Sequence, residues 1–489
     1  MRFLGALAIL GGCLAAGAFA CGSSSNGSNN SPVTEDGGSD SGTVESGGPM
    51  DAGSETAMDA APAPYPAFVP TDMPQVQNFG GPVMKTPKVV PIFYAEDNPA
   101  TVATIKDYLS KLPTSHWWAG WTQEYGIGAL TIEDAVVLPD LLPRTWDDAN
   151  IQADLAARLQ ATDGGPGQLP EPDANTIYAY FFPPGVTLTG TGTPTDAGAP
   201  EGGLMDDGGV SCDVGGWHGD ILVGPNNTDV AYAVVPRCDN FGDVIFGLDA
   251  VTAPFSHELA ESSTDPFPNG NPAYAQIDDS HLYWSKLVTS GEVGDMCEIN
   301  ASPGGSFVKY PDMPYMVQRI WSNKAAKAGT DPCVPTLTGS VYYQSYPIAT
   351  DMISYTTYGA TAMSLGVDLP TVGSSKTIEL DLASTAPTSG PWTVAPFDTS
   401  ASGDTYLHFA FSECGGASTC TGTNGTKLHL EITLAQAGRR GYETFIVQSG
   451  YRSDGGGPMA GNYDMWLGLA GGQAADGGGG SPRDAGGGG

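Results

Sequence analysis

The stretch FSHELAESSTDPF, residues 255–267, sets His257, Glu258 and Glu261 in the order H-E-x-x-E. On a helix, residues four apart lie one turn apart on one face, so His257 and Glu261 can reach the same ion. Glu258 then faces the water such an ion holds and can take its proton. In the related H-E-x-x-H pattern two imidazoles bind Zn²⁺ and the glutamate is the general base. A carboxylate in place of the second imidazole is still a zinc ligand, although it makes bound water less acidic and admits Ca²⁺ or Mn²⁺ more readily. Zinc is therefore the expected ion and calcium the alternative. A third ligand is required, and the sequence offers His218 in GGWHGD and Glu292 and Asp295 in SGEVGDMCE. The plainer reading of HELAE is a solvated or salt-bridged helix face; the additional donors are what weigh toward a metal.

Other reactive residues fit less well. Asp265 is expected to cap the turn before Pro266. His116 reads as a packing neighbour of Trp117 and Trp118, His281 lies in a loop of unfixed position, and His408 and His429 are expected on solvent-facing strand positions. Ser256 has no convincing acid–base partner in the sequence, which disfavours a serine hydrolase. Glu258 and Glu261, three apart on one turn, are poorly placed to flank a glycosidic bond.

Elements must hold these groups in place. A helix is expected from about 254 to 263, with Thr252 as N-cap and Pro254 in the first turn. KVVPIFYAE and NTIYAYFFPP read as buried strands, TVATIKDYLSKL and DDANIQADLAARLQA as helices, the latter with an Asp at its start. This order predicts a mixed α+β domain of α/β type over residues 64–335, with a structureless insertion at 189–210. Residues 336–470 change texture: in KLHLEITL, Leu428, Leu430, Ile432 and Leu434 share one face and His429, Glu431 and Thr433 the other. Several such runs predict an antiparallel β-sandwich. Residues 471–489 read as a Gly-rich tail.

The first twenty residues, an apolar run after Arg2, read as a signal peptide of lipoprotein type. Cys21 follows AFA and is the expected lipidated residue, with Ala18 where such boxes prefer Leu. Residues 21–63 form a Gly/Ser/Asp-rich tether. Six further cysteines read as disulfides in an exported chain: Cys212–Cys238, Cys297–Cys333 and Cys414–Cys420 is the favoured pairing, the last closing a short local loop. A formal net charge of −35 argues against nucleic-acid binding. The expectation is a monomer anchored by lipid to the outer membrane or cell surface, or else secreted.

The motifs SHWWAGWTQEYG, TIYAYFFPPGVTL, SCDVGGWHG, GLDAVTAPFSHELAESSTDPFPNG, EVGDMCE and MVQRIWSNKAAKAGTDPC, in that order, resemble the EXORDIUM, or phosphate-induced, protein family over about residues 85–335. The resemblance implies an extracellular or cell-wall protein, without an enzymatic activity to carry over from plant members. The H-E-x-x-E followed by T-D-P and G-E-V-G-D looks like bacterial relatives. Two functions follow: a metallopeptidase-like hydrolase acting on a peptide or cell-wall polymer, or a non-catalytic surface binding protein with a structural metal, in which exposed aromatics of HWWAGW would stack on sugars.

Overall fold

The computed structural model describes residues 63–471 apart from 71, 141, 143–144, 162–163, 166, 190–210, 213–214, 238–239, 242–244, 287–290, 299–304, 358–359, 400–404, 438–440 and 452–462. The signal, tether, Cys21, the insertion from 190 onward, the tail from 472 and the Cys212–Cys238 pairing lie outside the described residues.

The first layer is a sheet built from β1 (Lys88–Tyr94), β2 (Thr131–Ile132), β3 (Val136–Leu138), β4 (Thr176–Phe181), β5 (Trp217–Val223) and β6 (Thr228–Val235). β2 and β3 both lie along β1, and the order continues β1–β4–β6–β5. All pairs are parallel except β6 with β5. Period-two alternation divides each strand between two cores. Tyr178, Tyr180, Val230, Tyr232, Val234 and Trp217 face one side, while Ile177, Ala179, Phe181, Ala231, Ala233 and Val235 face the other. The first side is covered by α3 (Asp148–Gln160), whose Asp148 accepts hydrogen bonds from Trp217 Nε1 and Tyr232 Oη, both at 2.7 Å. Asp147 caps that helix with a reciprocal Asn150 bond. α1 (Pro99–Lys111) and α2 (His116–Trp121) belong to the opposite core.

On that opposite side lies α4 (Asp249–Thr264), between the sheet and a hairpin of β7 (Phe307–Tyr310) and β8 (Met313–Gln318). α4 starts five residues earlier than expected, so Pro254 stands inside it and Thr252 is not its N-cap. Gly247, at φ 59°, sets the entry turn, and Ala250, Val251 and Thr252 close it with bonds to Gly247 and Leu248. Ala250, Val251 and Ala253 are thereby buried, a gain that an initiation at Pro254 would forfeit.

From Tyr343 the chain forms two further sheets. Strands Tyr343–Ile348, Ser375–Ser384, Lys427–Leu434 and Leu407–Phe411 make one; Asp351–Thr357, Ala360–Asp368, Tyr463–Gly471, Tyr442–Gly450, Trp392–Asp398 and Cys420–Gly422 make the other. Pairing is antiparallel throughout, except that Ala360–Asp368 and Tyr463–Gly471 run parallel. Leu428, Leu430, Ile432 and Leu434 are buried, while His429 and Glu431 are exposed. The whole is mixed and mostly strand, with few helices and several sheets. Residues before and after 336 share one continuous apolar core: Trp284 packs edge-on against Trp466 at 5.3 Å, and the Tyr283 hydroxyl donates to Leu467 O. Cys297–Cys333 and Cys414–Cys420 are disulfides, each with Cα atoms 5.7 Å apart. No helix among the described residues is long and apolar enough to cross a membrane.

Candidate metal centre

Three chain segments converge on one buried cluster. α4 supplies His257, Glu258 and Glu261, with 3%, 2% and 2% of their surfaces exposed. Three of the buried hydroxyls on this helix are satisfied locally: Ser256, Ser263 and Thr264 donate to carbonyls three or four residues back. β5 supplies His218, opposite Ala233 on β6, on the α4 side of the sheet. The small side chains of Ala231 and Ala233 let α4 approach closely there. The third segment is the loop 291–298, tied to residue 333 by the Cys297 disulfide, which brings in Glu292, Asp295 and Glu298.

Glu261 is the centre of the cluster. Its Oε1 lies 3.0 Å from His257 Nε2, and its Oε2 lies 3.5 Å from His218 Nδ1. His218 Nδ1 is also 3.5 Å from Glu258 Oε2, and its Nε2 is 3.7 Å from Glu292 Oε1. Donor atoms of His218, Glu261 and Glu292 lie within 4.8 Å of one another, and so do those of His257, Glu258 and Glu261. Ligand atoms bound tetrahedrally at about 2.1 Å stand about 3.4 Å apart, so each separation at Glu261 is of the size a bound ion requires, with His257 on its Oε1 side and His218 on its Oε2 side. His218 Nε2 and Glu258 Oε2 are buried without a hydrogen-bond partner.

Gln318, the last residue of β8, falls within the motif MVQRIWSNKAAKAGTDPC but is not among the expected site residues. Its Nε2 donates to Gly294 O at 2.6 Å, which turns its Oε1 toward His257 Nδ1 at 3.1 Å. An acceptor there fixes the proton on Nδ1 and leaves Nε2 for a cation. Gln318 is itself held by its backbone N–H on Ser256 Oγ and by Trp117 Nε1 on its carbonyl. Trp117, Trp118 and Trp121 are buried, which removes them as a sugar-stacking surface.

Asp295 lies in the centre but spends Oδ2 on the backbone N–H groups of Gly291 and Glu292; its Oδ1 is 3.9 Å from His257 Nε2. It shapes the loop and belongs to neither three-residue cluster. Gly294 packs so closely that a Cβ there would stand 2.7 Å from both Glu261 Oε1 and His257 Nδ1. Asp265 ends α4 and accepts from Ala273 N, tying down the following turn. His281 bonds Asp278 and packs on Trp284 and Trp466. His116 is exposed and edge-on to Tyr310, and His429 pairs with Glu413 at the surface.

The electrostatics call for positive charge. Burial alone would lower both imidazoles, yet the surrounding glutamates hold His218 and His257 well above the usual histidine range. Burial raises Glu258, and burial with Glu261 raises Glu292; burial lifts Glu298 to about 8. At Glu261 burial is outweighed by His257 and His218, which bring it down to about 2. Without an ion, the protonated imidazoles of His218 and His257 offset the Glu261 carboxylate. A divalent ion would take over that role by displacing the imidazole protons, because buried charges persist only when paired or coordinated.

No protein-family model matches the chain, and no curated protein does. Among solved structures, domains 4 and 5 of the S-layer protein SbsC are similar over 26% of this chain and 54% of theirs, at 12% identity and a TM-score of 0.15. This chain therefore spans about half the length of that solved two-domain chain. A conjugative transposon lipoprotein from Bacteroides eggerthii is similar over 25% of this chain and 95% of its own, at 12% identity and a TM-score of 0.16. Likenesses at these scores carry no argument about this chain.

Proposed function

We propose that this protein is an exported, metal-dependent hydrolase of peptidase type, in which His257, Glu261 and His218 hold a zinc ion and Glu258 is the general base. The observation that carries the reading is the clamp of Gln318 on His257 Nδ1, which presents Nε2 to Glu261 at the centre of a buried acidic cluster. Bound zinc would polarise an amide carbonyl and acidify water. The chain's own work is to fix the imidazoles, to exclude bulk water and to hold an acceptor, Glu258 Oε2, that has no other partner. Glu292 borders the ligand set from the His218 Nε2 side. The signal-like leader and Cys21 support a protein lipid-anchored to the outer membrane or cell surface, or else secreted; the substrate of this reading is a peptide or cell-wall polymer, and the protein a monomer. The ordered motifs over 85–335 support kinship with bacterial EXORDIUM-like proteins.

A second reading is a non-catalytic surface protein of EXORDIUM type whose metal, zinc or calcium, staples α4 to β5 and the 291–298 loop. The depth of the centre favours it, since His257 and Glu258 are almost wholly enclosed. Glu258→Gln separates the two. With zinc-loaded protein and fluorescent casein, a hydrolase loses about 10²–10⁴ of its rate while keeping its metal and melting temperature. Hydrolysis that is absent, or indifferent to the substitution, in protein that retains its metal assigns the staple.

A further inference from the structure

A second site lies on the other face of the main sheet. Past the carboxyl ends of β1 and β3, where parallel sheets bind ligands, there is a groove of about 490 Å³ lined by Tyr94, Asp140, Trp146 and the α3 residues Asp154 and Arg158. Tyr94 ends β1, is 3% exposed, and its hydroxyl has no hydrogen-bond partner. Tyr94 lines the groove together with Asp140, Asp154 and Arg158. Burial and Asp154 push the phenol up, so it remains a neutral donor and acceptor.

The groove's chemistry selects its ligand. Arg158 is fixed by Asp154 at 2.8 Å, Asp140 at 2.6 Å and Gly167 O at 3.3 Å. Two carboxylates against one guanidinium leave a net negative charge, which repels phosphate, sulfate and carboxylate groups. The same carboxylates are strong acceptors for hydroxyl protons. Trp146 is half-buried and packs against Phe182 at 5.6 Å, offering a rigid aromatic wall. Aromatic wall, carboxylate acceptors and a buried unpaired hydroxyl together suit a neutral polyhydroxylated ring.

We propose that this groove is a binding subsite for a neutral saccharide, seated against Trp146 with its hydroxyls bonded to Asp140, Asp154 and the Tyr94 hydroxyl. It stands apart from the metal centre, which occupies the α4 face, and does not depend on the function assigned there.

The test uses the full chain and saturation-transfer NMR with maltotriose, cellotriose, mannotriose and tri-N-acetylchitotriose, and with glucose 6-phosphate as the charged control. At least one neutral trisaccharide is expected to bind saturably and better than the phosphorylated sugar. Trp146→Ala should weaken that binding about tenfold or more, and Tyr94→Phe about fivefold. Tyr94→Phe also guards against misfolding: its hydroxyl bonds nothing in the protein, so its melting temperature should not fall. Binding of no neutral trisaccharide, preference for the phosphorylated sugar, or affinity unmoved by both substitutions would overturn the proposal.

Discussion

Gln318 and Glu261 divide the work at the centre: one fixes a proton, the other supplies the charge. Gln318 faces Gly294 O and His257 Nδ1 at once, so Gln318→Leu leaves both without their partner and frees the ring to change tautomer. Removing such a supporting acceptor lowers zinc affinity by about 10–100-fold, to be read by competition with a chromogenic chelator. An affinity equal to the parent's would mean that His257 does not bind through Nε2. His257, Glu258 and Glu261 were legible in the sequence because helical spacing is local. Gln318 was not, since it lies some sixty residues from His257 and only the α4–β8 packing brings them together. The bonds that Asp295 makes were not legible for a related reason: residue type signals a ligand, but not that the turn at Gly291 and Glu292 engages Oδ2 while Oδ1 stands 3.9 Å from His257 Nε2.

Among the elements, α4 and the 291–298 loop meet at Gly294. Its φ of −75° is open to any residue, so Gly294→Ala acts by crowding Glu261 and His257 rather than by straining the backbone. The expected outcome is a clear loss of the rise in melting temperature that added zinc gives the parent, with secondary structure by circular dichroism retained. An undiminished zinc-dependent rise would contradict the ligand geometry. Strands and amphipathic helices were legible: Lys88–Tyr94 and Thr176–Phe181 are continuous apolar runs that form buried strands, and Pro99–Lys111 and Asp148–Gln160 follow the helical period. α4 is the exception, being buried on every side, so no polar face marks its ends and Pro254 misleads about its start.

For the whole molecule, the junction between the mixed part and the two later sheets carries a pH signature. Asp464, on strand Tyr463–Gly471, is fully buried and faces Asp331, Arg319, Tyr342 and Tyr346. Burial and then Asp331 push its carboxyl well above the usual range. Between the unfolded and folded values the native state binds the extra proton, so stability falls as pH rises through that window. Asp464→Asn keeps an acceptor for Met465 N and has no proton to lose. Its melting temperature should exceed the parent's at neutral pH, with the gap closing toward the unfolded carboxylate value. A parent more stable than the variant at neutral pH would reverse the sign. This junction was not legible: the change of texture near 336 does not say which side chains meet across it, and Tyr283, Trp284 and Trp466 pack there in one core.

The proposed chemistry turns on the metal. Elemental analysis of zinc-reloaded, dialysed protein beside Glu261→Ala is its most direct test, because Glu261 is common to both donor clusters. About one equivalent of zinc in the parent, absent from the variant, is the expected result. Protein that retains no divalent ion after reloading, or a variant that binds as much as the parent, would contradict a metal centre at His257, Glu261 and His218.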